Sequence, residues 1–424
     1  MNRRLVLNAA SRAISHLSYT PLLGTAAAIS LVRVLFYAAL MDVDQFGLTS
    51  QLLLVSGLFG LFGNLGTQLV AHRDVPRLLH LGRSREAVSL IAQSTYVTVL
   101  VAVLCFPLGW LGLPLFNLTP IELALALIHG LATQVFATFV IESKSRLAMM
   151  QYARDMFIRA MLITVAGSWV AYRGWGGVGV IAAEALLTLA VLPFLAVSIL
   201  ANNNVPWSDI GRMAAPAHRE LPWRASLILL AGSLIAYASF NLDRWFAASS
   251  LNRFEFGQYA FAWIPLMAAQ SLQFLLNAGI FPLLARHGLE APAWRALRLA
   301  AQVSLAILAI GIIAAVIAWF LAPPIIAAWL PKYSAALPLL GPLIAAAVFR
   351  ISDFWSSFLI AAKFEWVLLK VQTVVLGLVL LGWIGLISIM GLRMTPESLA
   401  WLAFVAAATT HAASAVSAVV MVKR

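Results

Sequence analysis

Apolar residues in this chain come in successive runs of about 20 or more, the length an α-helix needs to cross the hydrocarbon core of a bilayer. In that solvent every backbone polar group must be satisfied internally, which leaves only helices and closed barrels. The runs lack the alternating segments of about ten residues that barrel strands show. Helical spans are therefore expected. Of 424 residues, 62% are hydrophobic and 10% charged, and the mean hydropathy of +0.93 excludes a water-soluble globular enzyme. The one cysteine, Cys105, excludes an internal disulfide framework or a Cys-rich metal site. A net charge of +12 would suit nucleic acid, but the basic residues are scattered through short loops rather than gathered on a face. Membrane lipid, and not nucleic acid, is the expected surroundings. Arg3 and Arg4 are not followed by a compact apolar region with a small-residue cleavage site, so no removable signal peptide is expected.

Hydropathy places twelve spans. Six run near Ser18 to Met41, Gln51 to Val70, Val88 to Leu111, Pro120 to Ile141, Phe157 to Tyr172 and Gly177 to Ala201. Six more run near Ala225 to Ser249, Gln258 to Leu284, Leu299 to Leu321, Ala336 to Ala361, Trp366 to Ile389 and Ser398 to Met421. Charge then sets the orientation. Of the 28 Lys and Arg, only Arg173, Arg253, Lys332 and Arg393 fall on the side opposite the N-terminus. Arg33, Arg244 and Arg350 fall inside spans, and all the others, Arg159 among them, are assigned to the N-terminal side. By the positive-inside rule that side is cytoplasmic, and an even number of spans returns the C-terminus to it.

Two pairs of short matches point to a duplication. Asp44-Gln45-Phe46-Gly47, read as an outer loop, resembles Phe254-Glu255-Phe256-Gly257 at an offset of 210 residues. Asn64-Leu65-Gly66, seven residues before Arg73, resembles Asn277-Ala278-Gly279, seven before Arg286. The expected fold is an all-α polytopic membrane protein of 12 transmembrane helices in two six-helix halves around a central cavity. The halves are residues 1–205 and 223–424, joined by a cytoplasmic linker, 206–222. Parallel repeats of this kind occur in alternating-access transporters.

Ionisable groups inside a membrane are costly and usually face a bundle interior or a water-filled cavity. Arg33 has no acidic neighbour in its own span and needs an interhelical partner or an anionic ligand. Asp243 and Arg244 diverge by about 100° around their helix, so each is expected to find partners on other helices. Arg350, Asp353 and Ser357 recur at spacings of three and four, as do Gln270, Gln273 and Asn277. Arg350 and Asp353 read equally well as a self-neutralising pair or as part of a substrate path. Glu184, His129, Gln134, Asn64, Gln68 and His411 are further intramembrane polar groups, a class that more often serves interhelical hydrogen bonding.

Other motifs fail on context. Gly174, Gly176 and Gly179 form G-x-G-x-x-G in an outer turn with no strand before it, which is not a dinucleotide site. Gly57, Gly60, Gly63 and Gly66 fit close helix packing. Asn117-Leu118-Thr119 matches a glycosylation acceptor too short to carry weight. Neither H-E-x-x-H nor a P-loop is present, and every outer loop is short. No enzyme activity, cofactor or metal is expected.

The Arg in span one, the Asp-Gln-Phe-Gly turn, the Asn-Leu-Gly before Arg73, and Asn241-Leu242-Asp243-Arg244 followed by Phe256-Gly257-Gln258-Tyr259 together resemble a known family. It is the polysaccharide-biosynthesis (O-antigen and exopolysaccharide, Wzx-type) flippases of the multidrug/oligosaccharidyl-lipid/polysaccharide exporter superfamily. The likeness covers the whole chain in topology, with its recognisable words in spans one, two, seven and eight. Related lipid II flippases have two additional helices, and drug-extruding relatives also have twelve. The resemblance implies a bacterial inner-membrane protein moving undecaprenyl-diphosphate-linked oligosaccharide from the cytoplasmic to the periplasmic leaflet by alternating access, alongside other polysaccharide assembly proteins. Buried guanidinium groups suit a diphosphate. The expected substrate-binding set is Arg33, Arg244, Arg350, Asn64, Gln273 and Asn277, with Asp243, Asp353 and Glu184 as candidates for proton or sodium coupling. A cation-coupled multidrug exporter and a noncatalytic scaffold of a polysaccharide synthesis complex are the alternatives. The balance of three Arg against three carboxylates inside the spans favours the flippase over an exporter of cations.

Overall fold

The computed structural model describes the backbone of residues 3–111, 118–215, 221–290, 293–391 and 394–423. Asn117, Arg219, Arg393 and Arg424 lie outside the described residues, as do the side chains of Arg3, Arg4, Arg12, Arg286 and Lys423. The first helices are α1 (Arg3–Leu40), α2 (Val43–Phe62), α3 (Thr67–His80), α4 (Ser84–Leu111), α5 (Pro120–Ser145), α6 (Met149–Tyr172), α7 (Gly176–Asn203) and the short α8 (Ile210–Ala214). Then come α9 (Trp223–Ser250), α10 (Arg253–Ala262), α11 (Ile264–Glu290), α12 (Ala293–Trp329), α13 (Leu337–Ile351), α14 (Phe354–Ala361), α15 (Glu365–Met390) and α16 (Pro396–Lys423). Among the described residues, ten helical segments are long and apolar enough to cross a membrane, or eleven if the bent pair α10 and α11 forms one span. The 24-residue α6, which carries Arg154, Asp155 and Arg159, is not among them; counted as a span, it would give the twelve of the hydropathy reading.

Several boundaries differ from the hydropathy reading, each for a local reason. Asp44-Gln45-Phe46-Gly47 is no outer loop but the first turns of α2. Its counterpart Phe254-Glu255-Phe256-Gly257 lies inside α10, which opens on a capping box between Asn252 and Glu255. That box satisfies two orphan N–H groups at a helix start. Asp42 and Gln45 stand at the matching positions before and within α2. Span two is broken rather than continuous: α2 stops at Phe62, and Leu65 (φ 48°) and Gly66 (φ 79°) turn the chain into α3. Its proposed counterpart at Asn277 to Gly279 runs unbroken within α11. The second match therefore shares sequence but not conformation. Span ten breaks too, between α13 and α14 at Ser352 and Asp353.

By compactness the chain forms two units, residues 1–41 with 48–233 and residues 42–47 with 234–424. The boundary falls inside α9 rather than in the 206–222 linker. The reason is visible in the linker's packing: Val205 and Met213 are buried with Val88, Ile199 and Leu200, and Arg85 pairs with Asp209. In the first unit α6 packs on α1 and α7, and α5 on α4 and α7. In the second, α13 packs on α11, α12 and α16. Outward positions such as Phe194, Phe320 and Leu381 are exposed apolar side chains, as a lipid-facing surface requires.

Candidate functional site

Two buried polar clusters are built, one in each unit. In the first unit, Arg33 and Tyr37 lie four residues apart on α1 and share a face. Both reach Glu184 of α7, which is 0% exposed. Arg33 Nη1 donates to Glu184 Oε2 at 2.5 Å, and the Tyr37 hydroxyl donates to Oε1 at 2.6 Å. From α5, His129 Nε2 stands 3.2 Å from Glu184 Oε2, and its Nδ1 is 2.7 Å from Ser56 Oγ on α2. One ring nitrogen thus faces a carboxylate and the other a hydroxyl that can either donate or accept. The interhelical partner that Arg33 lacked in its own span is Glu184.

Beside this cluster lies a residue that the charge count misplaced. Arg159 was assigned to the cytoplasmic side, yet it sits inside α6, where Nε and Nη2 donate to Thr188 and Thr133. Its guanidinium lies 4.8 Å from the Phe136 ring centroid. The helix therefore begins earlier than Phe157, and Arg159 belongs with Arg33, Arg244 and Arg350 as an arginine within the helix packing. A charge ten residues into a helix with apolar residues on both sides was the available signal.

Asn64 is occupied by its own turn. Its Nδ2 donates to Gly60 O at 3.0 Å and its Oδ1 accepts from Gly66 N at 2.8 Å. Both side-chain atoms thus serve the break between α2 and α3. A Cβ at Gly66 would run into the backbone of Ser226, so positive φ and close approach both demand glycine. Gln134 of α5 bonds to Gln68 of α3.

In the second unit Trp263, at the junction of α10 and α11, organises the charges. Its Nε1 donates to Asp243 Oδ2 at 2.8 Å, and Tyr259 Oη donates to the same oxygen at 2.6 Å. Asp243 is 2% exposed. The neighbouring Arg244 stacks on Trp263 with its guanidinium 4.5 Å from the ring centroid. Arg350 of α13, 4% exposed, lies 5.6 Å from the same ring and 5.3 Å from Phe240. Asp243 and Arg244 consequently find their partners on other helices, as their divergence around α9 implied. Such contacts contribute about 0.5–2 kcal/mol each. They leave hydrogen-bonding capacity unused: Arg244 Nε and Arg350 Nε and Nη1 are buried without a partner.

The local pairing of Arg350 with Asp353 does not form, because the helix breaks between them. Asp353 instead caps α14, accepting from Ser356 N at 3.2 Å and Ser356 Oγ at 2.7 Å. Gln273 Nε2 donates to Asp353 O at 3.3 Å, and Ser357 Oγ donates to Asn277 Oδ1 at 2.9 Å. Around Arg350 and Asp353 a small cleft is completed by Ser239, Gln372, Thr410 and His411. No group of three or more His, Cys, Asp or Glu able to hold a metal occurs among the described residues. Sequence reading identified Arg33, Glu184, Asp243, Arg244 and Arg350 but not the aromatic partners Tyr37, Tyr259 and Trp263. Those are indistinguishable in sequence from ordinary apolar span residues.

No family model and no curated protein matches the sequence. Solved structures do match in shape. A multidrug resistance MATE family transporter of the MOP superfamily, in an inward-facing conformation, superposes over 94% of this chain and 94% of its own, with TM-score 0.63 and 14% identity. The lipid II flippase MurJ, in an inward closed conformation, covers 96% of this chain and 88% of its own, with TM-score 0.65 and 13% identity. A mutant of the Vibrio cholerae MATE transporter VcmN covers 98% of both chains at TM-score 0.63 and 15% identity. Identity this low establishes shape and not activity. The chain is an all-helical, multi-pass membrane protein with the fold shared by MATE transporters and the lipid II flippase MurJ.

Proposed function

We propose that this chain is a non-enzymatic flippase that moves undecaprenyl-diphosphate-linked oligosaccharide from the cytoplasmic to the periplasmic leaflet of a bacterial inner membrane by alternating access. The observation that carries this reading is the pair Arg244 and Arg350 on Trp263, of whose buried guanidinium nitrogens Arg244 Nε and Arg350 Nε and Nη1 lack hydrogen-bond partners. The nearby carboxylate of Asp243 is already engaged by Tyr259 and Trp263. A diphosphate supplies what these donors lack, a set of anionic acceptors suited to guanidinium forks. A drug cation supplies the opposite charge. In the first unit Arg33, held by Glu184, is a third cation, one that exchanges its carboxylate for the headgroup. Gln273 and Asn277 line the same unit as Arg350 and offer amides to sugar hydroxyls.

Ion coupling in this reading centres on Glu184 with His129 and Ser56, a chain of hydrogen-bonded groups that can pass a proton. Asp243 and Asp353 are better explained as a clamp on Trp263 and a helix cap. Both termini face the cytoplasm, and other polysaccharide assembly proteins supply and receive the substrate. The test is transbilayer movement of a labelled polyprenyl-diphosphate oligosaccharide in proteoliposomes, with extrusion of a cationic dye under an ion gradient measured in parallel. Lipid movement without dye extrusion supports the flippase; dye extrusion without lipid movement assigns the chain to the drug exporters.

A further inference from the structure

A lipid-linked substrate has a tail as well as a headgroup, and the second unit holds an apolar groove beside the arginine site. On α13, Gly341, Ile344, Ala345, Val348 and Phe349 recur at three and four residues and form one stripe. On α12, Leu308, Ile312, Ala315, Val316, Trp319 and Phe320 form the facing stripe. The helices approach closely at two glycines. A Cβ at Gly311 would stand 3.2 Å from Val348 Cγ1, and one at Gly341 would stand 3.0 Å from the Trp319 ring. From Leu308 to Phe320 the helix rises about 18 Å at 1.5 Å per residue.

We infer that this α12–α13 groove holds the polyprenyl tail of the substrate whose headgroup meets Arg350. The inference rests on the flippase reading and on continuity. Phe349 lines both the apolar groove and the polar cleft that contains Arg350 and Asp353. Arg350, the next residue, points about 100° further round the same helix. A diphosphate on one side of Phe349 and an isoprenoid on the other thus lie against one turn of α13. A second apolar groove, between α15 and α16 around Leu378, Gly382 and Trp401, shares no residue with the polar cleft. It has the same chemistry and runs along neighbouring residues of α16, Val405 beside Ala406 and Thr409 beside Thr410, but no side chain of it enters the cleft, and it serves as the control. Since lipid tails are as apolar as the groove, affinity here comes from shape: methyl-branched isoprenoid against Trp319, Phe320 and Phe349, with Gly341 and Ala345 leaving room.

The experiment compares binding of undecaprenyl diphosphate and geranyl diphosphate to the detergent-solubilised full chain. It uses the intact protein, Ala345→Trp, Ala315→Phe and the control Gly382→Trp, each checked by size exclusion. The intact protein is expected to prefer the long tail by about tenfold or more. Filling the groove should remove that preference, weakening undecaprenyl diphosphate binding far more than geranyl diphosphate binding, while Gly382→Trp keeps it. Retained preference in the filled variants, or equal loss in the control, overturns the assignment. Equal binding of both diphosphates by the intact protein also overturns it, yet leaves the flippase reading in place. Binding of neither removes the flippase reading and the groove with it. A benzophenone at the tail end of the long lipid, which needs no variant, should label α12 or α13; labelling elsewhere contradicts the assignment.

Discussion

Glu184 and Arg350 are both buried charges, but their energetics run in opposite directions. Glu184 is fully paired, so removing it leaves Arg33 uncompensated. Breaking a buried pair in this way costs about 3–5 kcal/mol. Glu184→Leu should therefore lower the melting temperature in detergent by far more than Arg33 and Glu184 changed together to apolar residues. Arg350 has two nitrogens without partners, so its burial carries a desolvation cost that hydrogen bonds do not offset there. Arg350→Met should thus hold or raise the melting temperature while abolishing transport. A variant that loses both together would make Arg350 a structural residue. This residue-level contrast was partly legible in sequence, where Arg33 and Arg350 stood out as charges among apolar neighbours. The partner Glu184 was found only as another isolated charge, because a contact across 151 residues leaves no trace in spacing. Tyr37 and Trp263 left none either, since an aromatic residue in a span looks the same whether it faces lipid or a guanidinium.

Helix starts and breaks explain where hydropathy reading failed at the scale of elements. A hydropathy window averages over polar caps, so it cut α2 short and made its first turns a loop. The signal was present in Asp42 and Gln45, a spacing that resembles the capping box observed at Asn252 and Glu255. Breaks inside spans two and ten were invisible to a window for the same reason. Within the second unit the starts of α2 and α10 cross closely: a Cβ at Gly47 would overlap the Arg253 carbonyl, and one at Gly257 the Val43 carbonyl. The two contacts are reciprocal, which gives the repeated Phe-Gly words a physical reason. Gly47→Ala or Gly257→Ala must push backbone apart and should each cost at least about 1–3 kcal/mol, read as a lower melting temperature. Asp353→Asn separates two roles at one position. Asparagine caps a helix as well as aspartate does, so the variant should keep both stability and transport if Asp353 is only the cap of α14. Loss of ion-coupled transport with normal stability would restore it to the coupling set.

Across the whole molecule, charge bias predicts an orientation that helix packing alone does not provide. With Cys105 replaced, a cysteine at the exposed Arg85 should react with an impermeant reagent only from the cytoplasmic side, and one at the exposed Arg173 only from the opposite side. Reversed labelling would invert the topology and the direction of transport with it. The all-helical membrane fold was fully legible from composition and run length, because a bilayer permits so few alternatives. The division into compact units was not legible, since the linker packs onto the first unit and the boundary falls within α9. What the fold leaves open is the cargo, and in the function proposed above that is decided at Arg244 and Arg350. The most direct measurement is transbilayer movement of a labelled polyprenyl-diphosphate oligosaccharide in proteoliposomes, comparing the intact chain with Arg350→Met at equal folded amounts. Movement by the intact chain and background movement by the variant are expected. Equal movement by both would contradict a cationic substrate path through this site.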